Sequence, residues 1–125
     1  MSYSKGPVET EKAYRAILSA ISRIEQFISG YNQKSFEADA KTISAVCYEF
    51  VVIGERVYDL NKENYFNNSP FNDQIDWNKV GNQRHFLSHE YWEDIDAEII
   101  WNTIKKHIPV LKEALNWHLK KESEN

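Results

Sequence analysis

The sequence predicts an all-α fold, an antiparallel bundle of four or five helices. Apolar residues recur at spacings of three and four through most of the chain, and no stretch alternates with the period of a strand. Only four glycines and three prolines interrupt 125 residues, so long helices can run between them. The length suits one domain spanning residues 1–125, with an ordered core over about 10–119.

The first helix is expected from Thr10, a candidate N-cap, to Gly30, a candidate C-cap. Tyr14, Ile17, Leu18, Ile21, Ile24, Phe27 and Ile28 form its apolar stripe, with Arg15, Ser22 and Glu25 outside it. A second helix follows Ser35, read as its N-cap, and carries Ile43, Val46, Cys47, Phe50, Ile53, Val57 and Leu60. At 1.5 Å per residue it is roughly 38 Å long. Residues 50–54, Phe-Val-Val-Ile-Gly, are apolar all round, so this helix is expected at the centre, and Gly54 implies close approach of another backbone.

Residues 61–76 are irregular, with Asn61, Asn64, Asn67, Asn68 and Asn72 beside Ser69 and Pro70. Tyr65, Phe66 and Phe71 pin this loop to the body. A short helix then runs from Asp76 or Trp77 through Arg84 and His89. The last helix starts near Asp94 or Asp96, carries Ile99 through Leu119, and ends at Lys120 and Lys121, with a bend at Pro109.

Composition narrows the function. Fifteen Lys and Arg against nineteen Asp and Glu leave a charge of −4, which argues against nucleic-acid binding through overall positive charge. One cysteine excludes a disulfide framework and a Cys/His zinc cluster. With no apolar run near 20 residues and no signal-like N-terminus, a soluble cytoplasmic protein with no membrane role is expected. Seventeen aromatic residues exceed what a small core usually needs, so some are expected to face a partner.

Chemistry concentrates in residues 81–93, which hold Arg84, His85, His89, Tyr91 and Trp92. Three readings compete. His85 and His89, at i and i+4, have the spacing of zinc ligands, but Arg84 adjoins them and no third ligand is in register, so no metal is expected. Alternatively, Arg84 and His89 cleave a phosphodiester without metal. RNA brings its own 2′-hydroxyl nucleophile, a histidine moves the proton and an arginine holds the phosphorane charge. Five residues on a straight helix separate them by roughly 140°, so convergence needs a bent helix or a two-fold dimer axis. In the third reading His89 caps a core, Arg84 is a surface partner of Glu90 or Glu93, and Tyr91 and Trp92 pack.

The surrounding text resembles the HepT-like branch of the HEPN superfamily. The resemblance rests on Arg84-x4-His89-x-Tyr91, on Trp77 before it and on Ile100-Trp101 and Ile108-Pro109 after it, with Phe36 and Ile53-Gly54-Glu55 upstream. It implies a dimerising helical bundle and a metal-independent, cofactor-free endoribonuclease toxin of a two-gene system. Arg84 and His89 would be catalytic. The partner, a minimal nucleotidyltransferase antitoxin, would neutralise the toxin by AMPylating Tyr91, in a homodimer or a higher hetero-oligomer. Where the branch usually has Asn after the motif arginine, this chain has His85, an auxiliary proton carrier, a phosphate contact or a plain surface histidine. Glu55 is an auxiliary candidate that orients His89 or Arg84 or forms a structural pair with Arg56 or Arg15. Cys47 is expected in the core, the cluster of Lys112, Lys120 and Lys121 on a solvated face, and His107 and His118 carry no function. The runner-up function is a non-catalytic helical subunit presenting substrate or nucleotide to a nucleotidyltransferase.

Overall fold

A computed structural model describes residues 7–89 and 95–124, with the backbone alone for 7, 8 and 85–89. Six helices cover these residues, and no strand occurs among them: α1 (Pro7–Phe27), α2 (Gln33–Glu37), α3 (Ala40–Lys62), α4 (Trp77–His89), α5 (Ala97–Lys106) and α6 (Ile108–Ser123). α3 is the hub, packed against α1, α2, α4 and α5, while α6 lies along α1.

Of the expected stripe α1 buries Tyr14, Ile17, Ile21 and Ile24 and half-buries Leu18 and Phe27, with Ile28 half-buried just past its end; it also buries Ala13 and Ala20, and leaves Arg15, Ser22 and Glu25 exposed. It starts ahead of Thr10, which lies buried inside it. Gly30 follows with φ +82°, a left-handed conformation that ends the helical path at little cost for glycine. α6 runs antiparallel to α1, since Lys112 pairs with Glu25 near one end and Ser123 bonds Glu11 near the other.

Two expected boundaries are corrected. Ser35 does not start the long helix. It is the third residue of α2, where its hydroxyl accepts from the Asn32 amide while the Asn32 side chain accepts from the Ser35 amide. α3 begins afterwards with Asp39, whose carboxylate accepts the Thr42 amide at 3.1 Å. Hydrogen bonds from the Tyr31 hydroxyl and then Thr42 hold that carboxyl down to about 2. The last helix is likewise two helices. α5 ends and α6 begins at His107, and Pro109 sits in the first turn of α6, where its missing N–H removes no helical bond.

The core is aromatic as well as aliphatic. Tyr14, Phe36, Phe50, Phe66, Trp77 and Trp101 are all buried, so much of the aromatic surplus expected to face a partner is internal. Tyr48, Tyr58 and Trp117 remain exposed. The Asn-rich loop is pinned as expected: Phe66 is buried and stacks on Trp77, with ring centroids 3.8 Å apart and planes 4° from parallel. Asn72 accepts the Trp77 indole N–H at 2.7 Å and donates to the Phe66 carbonyl, so the loop fixes the first residue of α4. Cys47 is buried, and burial pushes its thiol up to about 11. No helix among the described residues is long and apolar enough to cross a membrane.

Candidate functional site at the seam of α3 and α4

The site is built on a close contact between α3 and α4. Gly54 on α3 faces α4 so tightly that a Cβ there would lie 2.9 Å from the Cβ of Arg84 and 3.2 Å from the Val80 carbonyl. One turn away the relation reverses: a Cβ on Gly81 of α4 would meet the backbone of Tyr58 at 3.2 Å. Beyond that, Asn61 and Asn78 join the helices through a 2.7 Å side-chain bond. Numbers rising on α3 pair with numbers falling on α4, so the helices are antiparallel. The close approach expected at Gly54 is found, and its partner is the turn that carries Arg84.

Arg84 is buried, 9% exposed. The surface arginine of the packing reading is therefore corrected. Its Nη1 donates to the Gly81 carbonyl at 2.8 Å, one turn back on α4. Its guanidinium carbon lies 3.7 Å from the centroid of the Tyr58 ring, a cation–π contact. Its Nε is 3.8 Å from Glu55 Oε1, an ion pair longer than a hydrogen bond. Of the alternatives for Glu55, the structure shows the pair with Arg84. The Glu55 side chain is 58% exposed, so the pair sits at the edge of the seam. The buried carboxylate of α3 is Glu49, paired with Arg23 at 3.0 Å.

His85 and His89 lie on the same uninterrupted helix as Arg84, and their side chains fall outside the described residues. Tyr91 lies outside them too. Among the described residues, no group of three or more His, Cys, Asp or Glu is arranged to hold a metal ion. Two grooves, of about 540 and 550 Å³, open beside the Asn-rich loop and between α3, α4, α5 and α6, and neither is lined by Arg84.

Sequence reasoning missed two residues. Tyr58 carries a signal only in retrospect, four positions from Gly54 and so on the same face of α3. His118 was assigned nothing, yet it is buried within a ring of aromatics. Lys112 and Lys121 lie on a solvated face, paired with Glu25 and Glu124.

These features define a class: a helical domain that presents one buried, oriented arginine at a helix seam, with histidines further along the same helix. The family model described as "Ribonuclease HepT-like" matches residues 17–116. A protein of Thermococcus cleftensis named "Probable ribonuclease HepT" is 33% identical over 96 residues, 77% of this chain and 83% of that one. Another, of Caldanaerobacter subterraneus subsp. tengcongensis, named "Putative RNase TTE0752", is 32% identical over 95 residues, 76% of this chain and 80% of that one. No solved structure matches significantly. The chain belongs to the HepT-like ribonuclease family of the HEPN superfamily.

Proposed function

We propose that the protein is a metal-independent endoribonuclease toxin in which Arg84 and His89 act on one scissile phosphate. The observation that carries this reading is the fixed, buried guanidinium of Arg84 on the helix that also carries His89. The 2′-hydroxyl of the RNA attacks the adjacent phosphorus. His89 removes the hydroxyl proton or protonates the departing 5′-oxygen, and Arg84 stabilises the charge that gathers on the phosphorane oxygens. The products are a 2′,3′-cyclic phosphate and a free 5′-hydroxyl. His85 is the auxiliary group, a second imidazole next to Arg84, and Glu55 holds the guanidinium from α3.

Arg84 and His89 stand five residues apart on one unbroken helix, roughly 140° around its axis, which supports a site completed by a second copy across a two-fold axis. Tyr91 is the control point of this reading, seven residues along the chain from Arg84. An adenylate placed on its oxygen by a partner nucleotidyltransferase would set negative charge and bulk beside the guanidinium and exclude an RNA phosphate. The acidic chain binds RNA weakly and locally, with a shallow salt dependence.

The test is cleavage of single-stranded RNA in EDTA by the purified protein, with Arg84→Ala and His89→Ala beside it. Each substitution is expected to abolish cleavage. Activity that survives both refutes the mechanism, and activity lost in EDTA returns the metal reading. Mass spectrometry after co-expression with the nucleotidyltransferase is expected to place adenylate on Tyr91, and an unmodified Tyr91 in a neutralised complex refutes the control. A chain that binds RNA without cutting it would instead be the non-catalytic subunit.

A further inference from the structure

Tyr58 stands out on α3 because it is large, aromatic and 39% exposed, yet one of its ring faces is covered by a cation from the neighbouring helix. So exposed a ring adds little to the core. Of the two cations over it, Arg84 is the nearer at 3.7 Å, with Lys62 Nζ at 5.4 Å. The ring, 3.7 Å from the guanidinium carbon, bounds the group on one side, and the 2.8 Å bond from Nη1 to the Gly81 carbonyl holds it at another point. Gly81 in turn rests on the Tyr58 backbone, so the ring and the carbonyl are set by the same close contact between α3 and α4. Glu55 is a looser constraint, at 3.8 Å and mostly in water, where screening weakens it.

We propose that Tyr58 is a positioning residue for Arg84, its ring face holding the guanidinium in the single orientation in which it meets a scissile phosphate. The proposal rests on the assignment of Arg84 to the phosphate and adds the residue that aims it. Orientation matters because a group that must reorganise during the reaction stabilises the transition state less than one already in place. The ring therefore affects the turnover step more than substrate binding, because the group it aims acts on charge that gathers in the transition state.

The experiment uses the full chain and a fluorophore-labelled single-stranded oligoribonucleotide of mixed sequence, with kcat and KM measured alongside the thermal midpoint. Tyr58→Leu and Tyr58→Gln, which lack a ring, are expected to lower kcat about tenfold or more, with KM within threefold and the midpoint within a few degrees. Tyr58→Phe, which keeps the ring and loses the hydroxyl, is expected to restore kcat to within threefold. A folded Leu or Gln variant that turns over at the wild-type rate overturns the proposal, as does a Phe variant as slow as Leu. Arg84→Ala separates the two levels. If it cleaves normally, the assignment of Arg84 fails and this proposal with it. If it is inactive while Tyr58→Leu is fully active, the positioning role alone fails.

Discussion

Arg84 and His118 are the two buried basic side chains among the described residues, 9% and 7% exposed, and both lie against aromatic rings. Their solutions to burial are opposite. A guanidinium cannot shed its proton, so the seam of α3 and α4 supplies a carbonyl, a carboxylate and a ring face to accommodate a permanent charge. An imidazole can. His118 stands 4.9 Å from the Trp117 ring, 5.2 Å from Phe66, 5.8 Å from Tyr14 and 6.1 Å from Trp77, with one polar contact, Nε2 to Ser69 Oγ at 2.9 Å. Burial pushes it down to about 4, so it is neutral at pH 7. The first arrangement keeps a permanent charge in place at the helix seam. The second discards a charge to fasten the Asn-rich loop, and through Phe66 and Trp77 the start of α4, to the core.

The sharpest test of this contrast is to remove each side chain. Arg84→Leu is expected to reduce RNA cleavage by about 10²–10³-fold, while urea unfolding moves by about 1 kcal/mol or less, since an apolar side chain replaces a buried ion with little net loss. His118→Ala is expected to show the reverse, a loss of about 3 kcal/mol in unfolding free energy with cleavage per folded molecule unchanged. A His118 variant that is stable and inactive would erase the distinction.

Acid provides a second break. The folded-state value of His118 lies below its ordinary one of 6.5, so the unfolded chain binds the proton more readily. Stability from keeping it neutral is complete above pH 6.5 and is lost as pH falls toward 4, by up to about 3 kcal/mol. Denaturant melts at pH 7.5 and 4.5 are expected to show that loss, and His118→Phe is expected to flatten it. An equal acid slope in both proteins would remove His118 as its source.

Next in size is the seam itself. Gly54→Ala adds a Cβ that meets the Arg84 Cβ and the Val80 carbonyl, so α4 must shift, at about 1–3 kcal/mol. Cleavage falls with it, because Arg84 moves. Gly81→Ala meets the Tyr58 backbone less severely and is expected to cost less in both assays. Smallest of all, Lys112→Ala breaks an exposed pair with Glu25 and is expected to change stability by less than about 0.5 kcal/mol and leave cleavage unaltered.

Much of the fold was legible because helices are locally specified. The stripe of α1, the stop at Gly30, the close approach at Gly54 and the start of α4 at Trp77 all follow from spacing and from residue types that prefer particular backbone conformations. The misses are instructive. Ser35 has the chemistry of an N-cap, but Asn32 reaches its amide first, and a capping side chain is recognised only by the amide it meets. The apolar rhythm passes through His107 without a break because α5 and α6 both bury residues in the common core, so two helices read as one.

The candidate site divides along the same line. By itself the sequence determined that Arg84, His85 and His89 share a helix and how far apart they lie around it, since 3.6 residues per turn is a property of the backbone. Only the tertiary structure decided that Tyr58 and Glu55 face Arg84, and that His118 meets Ser69 across 49 positions of chain. Those meetings depend on the register between helices. Between α3 and α4 two glycines and the bulk of their neighbours set that register, and no periodicity within a single segment records it.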